Sequence, residues 1–160
     1  MFRKILLLLI AFLCIHQLKA QNQKNRKTIK TTRVANAPKI DGLLNDEAWQ
    51  KAEILTDFVT LRPDNGKLVS PEYQTTVKVV YDDDAVYISA QMNDPDPENI
   101  PSEFAVRDNF SIADFFLVTI NPNDDGQNPF EFIVQVTGNQ ADAKVSNGNE
   151  DLNWSAVWDA

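Results

Sequence analysis

The stretch "TTVKVVYDDDAVYISAQM", residues 75–92, decides the fold. Before its three aspartates, Val77, Val79 and Tyr81 recur at every second position. After them, Val86, Ile88, Ala90 and Met92 do the same. Period two places each set on one face of an extended strand. Asp82, Asp83 and Asp84 suit the turn between them, because a short carboxylate accepts hydrogen bonds from backbone a residue or two further on. The stretch reads as a β-hairpin. Its three adjacent carboxylates can also recruit a cation, but a solvated turn is the simpler reading.

Working outward, the same grammar repeats. "TTRVAN" (31–36) reads as a first strand and "APKIDG" (37–42) as a turn through Pro38 and Gly42. "NDEAWQKA" (45–52) is the one helical segment: Asn45 can cap it, Asp46 and Glu47 suit its positive end, and Ala48, Trp49 and Ala52 form an apolar stripe. Trp49 is expected as a packing anchor. "EILTDFVTL" (53–61) is β-like, "RPDNGKLVSPEY" (62–73) a loop, and "NDPDPENIPSE" (93–103) a second loop whose prolines stop a ladder. "FFLVTI" (115–120) is apolar on both faces, which predicts a central strand. "PFEFIVQVT" (129–137) alternates Phe130, Phe132, Val134 and Val136 with Glu131, Ile133, Gln135 and Thr137. "GNQADAKVSNGNED" (138–151) reads as a polar turn region around a short strand. "NWSAVWDA" (153–160) is strand-like, with Trp154, Ala156 and Trp158 on one face and Val157 on another, partly buried one. Short strands, polar turns and one short helix predict an all-β, antiparallel, jelly-roll-like β-sandwich. Because the sequence stops inside an apolar segment, the sandwich is expected to be C-terminally incomplete, with a strand of its own C-terminal region missing.

The N-terminus reads differently. "MFRK", the apolar run "ILLLLIAFLCI" and "HQLKA" have the form of a secretory signal peptide over residues 1–20, too short for a membrane span. Residues 21–33 read as a flexible lead-in and 34–160 as the domain. Cleavage after Ala20 removes the only cysteine, Cys14, and the only histidine, His16. The mature chain then has no disulfide, thiol nucleophile or imidazole, which excludes Ser–His and Cys–His chemistry and zinc sites built on those ligands. The net charge of −8 becomes −11 once Arg3, Lys4 and Lys19 leave with residues 1–20, which argues against nucleic acid and anionic lipid as partners. It permits neutral ligands and hard cations held through oxygen. Export places the mature domain in the periplasm, at the outer membrane or outside the cell, with no membrane span of its own.

Four segments in order carry a resemblance: "APKIDGLLNDEAWQKA" (37–52), "VKVVYDDDAVYISAQMND" (77–94), "RDNFSIADFFLVTINP" (107–122) and "WSAVWDA" (154–160). Together they resemble the family 9 carbohydrate-binding-module-like domain, in the version found at the N-terminus of a large family of bacterial envelope proteins. The resemblance spans roughly residues 34–160. It implies a β-sandwich that binds poly- or oligosaccharide without catalysis, in well-studied members through stacking tryptophans and bound calcium. Where a stacking tryptophan is expected before Asp114, this sequence has "NFSIAD", with Phe110 the nearest aromatic.

Sugar binding requires a flat apolar face for the C–H side of the ring and planar polar groups for its hydroxyls. Arg107, Asp108, Asn109 and Phe110 supply that mixture in one loop, and Asn153 with Trp154 form a second group. The competing reading has Arg107 in a local ion pair and Phe110 plugging one end of the sandwich. On a strand, Trp154 and Trp158 would lie roughly 13 Å apart on one face, too far to sandwich one sugar. Trp158 is expected in the core. For calcium, Asn121, Asn123 and Asp125 alternate before Gly126, and Asp94 and Asp96 lie in an oxygen-rich loop. Both are also ordinary polar turns. Among acids in apolar settings only Glu131 and Asp114 stand out, and strand-edge positions explain both, so no catalytic role is assigned. The expected function is carbohydrate binding by a module of a larger envelope protein serving carbohydrate catabolism. Two alternatives stay open: a structural module docking on its own C-terminal β-region, and, more distantly, part of a glycoside hydrolase.

Overall fold

In the computed structural model, which describes residues 27–160, strands form two sheets. The signal-peptide segment and the first part of the lead-in lie outside the described residues. The strands are β1 (Thr32–Arg33), β2 (Ile54–Leu55), β3 (Thr75–Tyr81), β4 (Val86–Met92), β5 (Phe115–Ile120), β6 (Phe130–Gln135), β7 (Gln140–Ser146) and β8 (Asn149–Asp151). Among the described residues a single α-helix, α1 (Glu47–Gln50), lies between β1 and β2. This is an all-β architecture of two sheets, consistent with a sandwich.

The 75–92 hairpin forms as its pattern requires, β3 pairing antiparallel with β4 from Thr75↔Met92 to Tyr81↔Val86. Asp82 bends it: Oδ1 accepts the backbone N–H of Asp84 and Ala85 at 2.8 and 2.9 Å, and Oδ2 accepts the Tyr87 hydroxyl at 2.9 Å. Because β4 runs along all of one edge of β3, β1 and β2 share the other edge. β2 pairs antiparallel at Val77–Lys78, while β1 pairs parallel at Val80–Tyr81. That parallel pair departs from the wholly antiparallel expectation, and Thr32 and Arg33 form the first strand that "TTRVAN" predicts.

Helix α1 covers one face of this sheet. Trp49 is 3% exposed and clusters with Ala52 and Val80, flanked by Val34 and Tyr87. Lys78 Nζ reaches across to donate to the Trp49 carbonyl at 3.0 Å, so one of the helix's unpaired C-terminal oxygens is satisfied by a cation. Asn45 is not the cap. Asp46 holds that position without a side-chain cap bond, and its Oδ2 accepts the Lys39 N–H instead.

The second sheet runs β5-β6-β7-β8, all antiparallel. "FFLVTI" is therefore a terminal strand of this sheet, not a central one, and Phe115 and Leu117 are exposed. Apolar residues on both faces report what can cover those faces and do not fix how many strands pair with the backbone edges. The region around 138–151 is more structured than its polarity predicts: β7 buries Ala141, Ala143 and Val145. Conversely, residues 153–160 form no ladder, and Val157 is fully exposed.

Cross-strand partners share a face. Phe116, Val118 and Ile120 of β5 thus lie beside Val134, Phe132 and Phe130 of β6. This apolar face and Ile88 of β4 enclose a cavity of about 540 Å³, which Trp158 also lines.

Candidate functional site

The site is built around a residue that continues this apolar face. Asp142 on β7 lies directly opposite Phe132, and its side chain is wholly buried. A carboxylate in that position needs donors to offset its desolvation. Arg107 Nη2 donates to Oδ2 at 3.1 Å and faces Oδ1 at 3.4 Å. The Ala156 N–H lies 3.2 Å from both oxygens, and Trp158 Nε1 donates to Oδ2 at 3.4 Å. One carboxylate thereby ties the 101–114 loop and the 153–160 segment to the same strand.

The loop is held by its own bonds as well. Ser102 and Ala113 form a bridge, the Glu103 N–H donates to the Ile112 carbonyl at 3.1 Å, and the Ser111 hydroxyl donates to the Glu103 carbonyl. Buried Asn139 donates Nδ2 to the Asn109 carbonyl at 2.8 Å and to Gln135 Oε1 at 2.9 Å. Asp108 takes a left-handed backbone, φ 62°, which Asp tolerates better than most residues. Its N–H donates to the Gln140 carbonyl at 3.0 Å. Arg107 Nη1 donates to Gln140 Oε1 at 2.8 Å, and Asp108 Oδ2 lies 3.7 Å from Arg107 Nε.

Of the residues expected at the sugar site, Arg107 and Asp108 are adjacent and fixed, and Arg107 makes the ion pair of the competing reading. Phe110 is exposed rather than plugged into the sandwich. Trp154 is half-buried, its ring 4.9 Å from Phe130 at 36° and edge-on to Phe132 at 6.3 Å. Trp158 meets the same Phe132 edge-on at 5.4 Å, so both tryptophans contact one ring. Asn153 serves a local turn, its backbone N–H and Nδ2 donating to Asp151 Oδ1 at 3.0 and 3.2 Å. Asp142 and Gln140 carry no sugar-site or metal signature in the sequence. Period two over 140–146 sets Gln140, Asp142 and Lys144 on one face against Ala141, Ala143 and Val145, which signals the strand but not that Asp142 is buried against Arg107.

The residues expected to hold calcium fall in two separate loops. Asp94 Oδ1 accepts the Asp96 N–H at 2.7 Å, and Asp96 Oδ2 accepts Asn99 Nδ2 at 2.8 Å. Asp125 accepts the Gln127 and Asn128 N–H groups and Asn128 Nδ2. The Asn128 amide, with those backbone donors, holds the Asp125 carboxyl down to about 2. Asn121 flanks it, and Asn123 lies in the same turn. Among the described residues no three acidic, His or Cys side chains converge, and the Asp94, Asp96 and Asp125 carboxylates each already accept N–H donors of their own loops. Glu131 is the acid whose carboxyl is pushed up, first by burial and then by Glu150.

The family scan recognises the part of the chain that carries Trp49, the hairpin and the Arg107 loop. Residues 40–113 match the family model described as carbohydrate family 9 binding domain-like. The match falls inside the 34–160 span of the resemblance. It takes in the packing anchor, the β3–β4 hairpin and Arg107, Asp108 and Phe110, and it stops before β5. The partners that fix this family 9-like segment's loop, Gln140 and Asp142, lie beyond it. Neither curated proteins nor solved structures gave a match. Among the described residues no helix is long and apolar enough to cross a membrane.

Proposed function

We propose that the chain is an exported, non-catalytic module that binds poly- or oligosaccharide for a larger envelope protein, in the service of carbohydrate catabolism. The observation that carries the reading is that the family 9-like segment ends on the loop presenting Arg107, Asp108 and Phe110. Arg107 offers a guanidinium whose plane is fixed by Asp142 and Gln140, so little rotamer entropy is lost when it meets a hydroxyl. Phe110 offers a solvent-facing ring. Trp154 contributes less than the sequence implied, because Phe130 and Phe132 already occupy much of its ring.

Retention on polysaccharide affinity gels tests this. Wild type is expected to be retarded, and Phe110→Ala or Arg107→Lys to migrate faster. Trp154→Ala is a poor probe because it also opens the aromatic cluster. Equal migration with and without every polysaccharide would remove the reading. It would favour the alternative of a module that docks on a β-region, for which terminal β5 with exposed Phe115 and Leu117 is the supporting observation. Export is tested by sequencing the secreted N-terminus, expected at Gln21.

A further inference from the structure

The chain holds a second concavity, away from the space between the sheets. It lies between the Phe104–Arg107 side of the loop and the turn Thr137–Gln140, with a volume of about 400 Å³. Phe104 lines it and is 74% exposed, the most exposed aromatic ring among the described residues, and Val106 beside it is 66% exposed. Neither serves the packing of the domain. At the groove's polar side, Arg107 and Gln140 are joined through Nη1 and Oε1, making one planar polar edge. Nη1 keeps a second hydrogen, and the Arg107 side chain is 41% exposed.

The charge around Arg107 is the second observation. Its single positive charge faces two carboxylates, Asp142 at 3.1 Å and Asp108 at 3.7 Å, within a chain of net charge −8. The guanidinium is therefore a directional N–H donor rather than an anion receptor. A sulfate or uronate brought here would meet a local excess of negative charge, whereas a neutral ring would not. An apolar ring beside a charge-compensated planar donor matches the C–H face and equatorial hydroxyls of an uncharged sugar.

We propose that this groove binds a neutral sugar unit, with Phe104 as the stacking face, Arg107 and Gln140 as the polar edge, and acidic glycans excluded. The inference rests on the carbohydrate-binding reading and deepens it, since that reading alone places the stacking face at Phe110.

The test uses the full chain against immobilised neutral oligosaccharides and uronate-containing or sulfated ones at the same ionic strength. Phe104→Ala is expected to weaken neutral-glycan binding about ten-fold, the loss of one stacking face. Phe104→Trp restores it, and Phe104 is too exposed for either change to perturb folding. Asp108→Asn raises the response to acidic glycans by removing one of the two opposing carboxylates. Binding by Phe104→Ala equal to wild type, or equal binding of sulfated and neutral glycans by wild type, overturns the proposal while leaving the broader reading standing. A wild type that binds no glycan overturns both.

Discussion

Asp142 shows how much one residue can organise. It is wholly buried and meets a guanidinium, a backbone N–H and an indole N–H. Replacing it with alanine removes the shared acceptor and leaves Arg107 facing an empty site. Breaking such a pair from one side costs about 3 kcal/mol, at the lower end of the range because Arg107 is partly exposed. Urea denaturation of Asp142→Ala is expected to show that loss, and Asp142→Asn a smaller one, since an amide still accepts hydrogen bonds. Glu131 has the opposite sign. Its carboxyl is raised by burial and by Glu150, so the folded state holds its proton more tightly than the unfolded chain. That contribution is favourable at low pH and is lost as pH rises through the folded value. Glu131→Gln is therefore expected to raise the melting temperature at neutral pH and to change it little in acid. The residue scale is also where the sequence was least legible. Arg107 and Phe110 are readable as sugar-binding types, but the acceptor that orients Arg107 lies 35 positions away in a strand that looked like a polar turn. Long-range pairing of two charged residues leaves no local pattern.

Among the elements, the β3–β4 hairpin was the most legible, because a period-two face and a turn chemistry agreed. Asp82 makes its turn, and the backbone N–H groups of Asp84 and Ala85, more than the Tyr87 hydroxyl, depress its carboxyl. A depressed carboxyl stabilises the fold above its unfolded pKa, and that stabilisation is lost as pH falls through the lower folded value. Asp82→Ala is expected to lower the melting temperature at pH 7 and to lower it less as pH falls into the acid range. The 121–128 turn follows the same logic. Three donors already occupy Asp125, so hydrogen bonds within the turn offset its charge. Excess EDTA is expected to leave the melting curve unchanged, and a downward shift would restore calcium to the structure. The elements misread from sequence were those whose character depends on neighbours. β5 looks central because it is apolar throughout, yet it has one partner strand. The 153–160 segment looks like a strand because Trp154, Ala156 and Trp158 alternate, yet it is held by Asp142 and by Phe132 rather than by a ladder.

At the scale of the whole molecule, the two sheets differ in how they are finished. The first is closed on one face by α1 and Trp49. The second ends in β5, whose exposed Phe115 and Leu117 lie along an edge with unpaired backbone groups. Such an edge pairs with other strands unless it is covered or charged. Leu117→Lys is expected to reduce self-association in sedimentation velocity while leaving the circular dichroism spectrum unchanged.

The placement of the three tryptophans gives the chain a built-in set of optical reporters. Trp49 sits in the first sheet's core with its indole N–H buried and unpartnered, while Trp154 and Trp158 both touch Phe132 on the second. Trp49→Phe discards an unpaired donor and silences the first sheet's emission. The remaining fluorescence then follows the second sheet alone. Trp154→Phe with Trp158→Phe isolates the first. If the sheets unfold as one cooperative unit, the two emission transitions coincide in denaturant. If they separate, each half of this domain has a stability of its own, and the shift in each emission on adding glycan shows which half the sugar reaches.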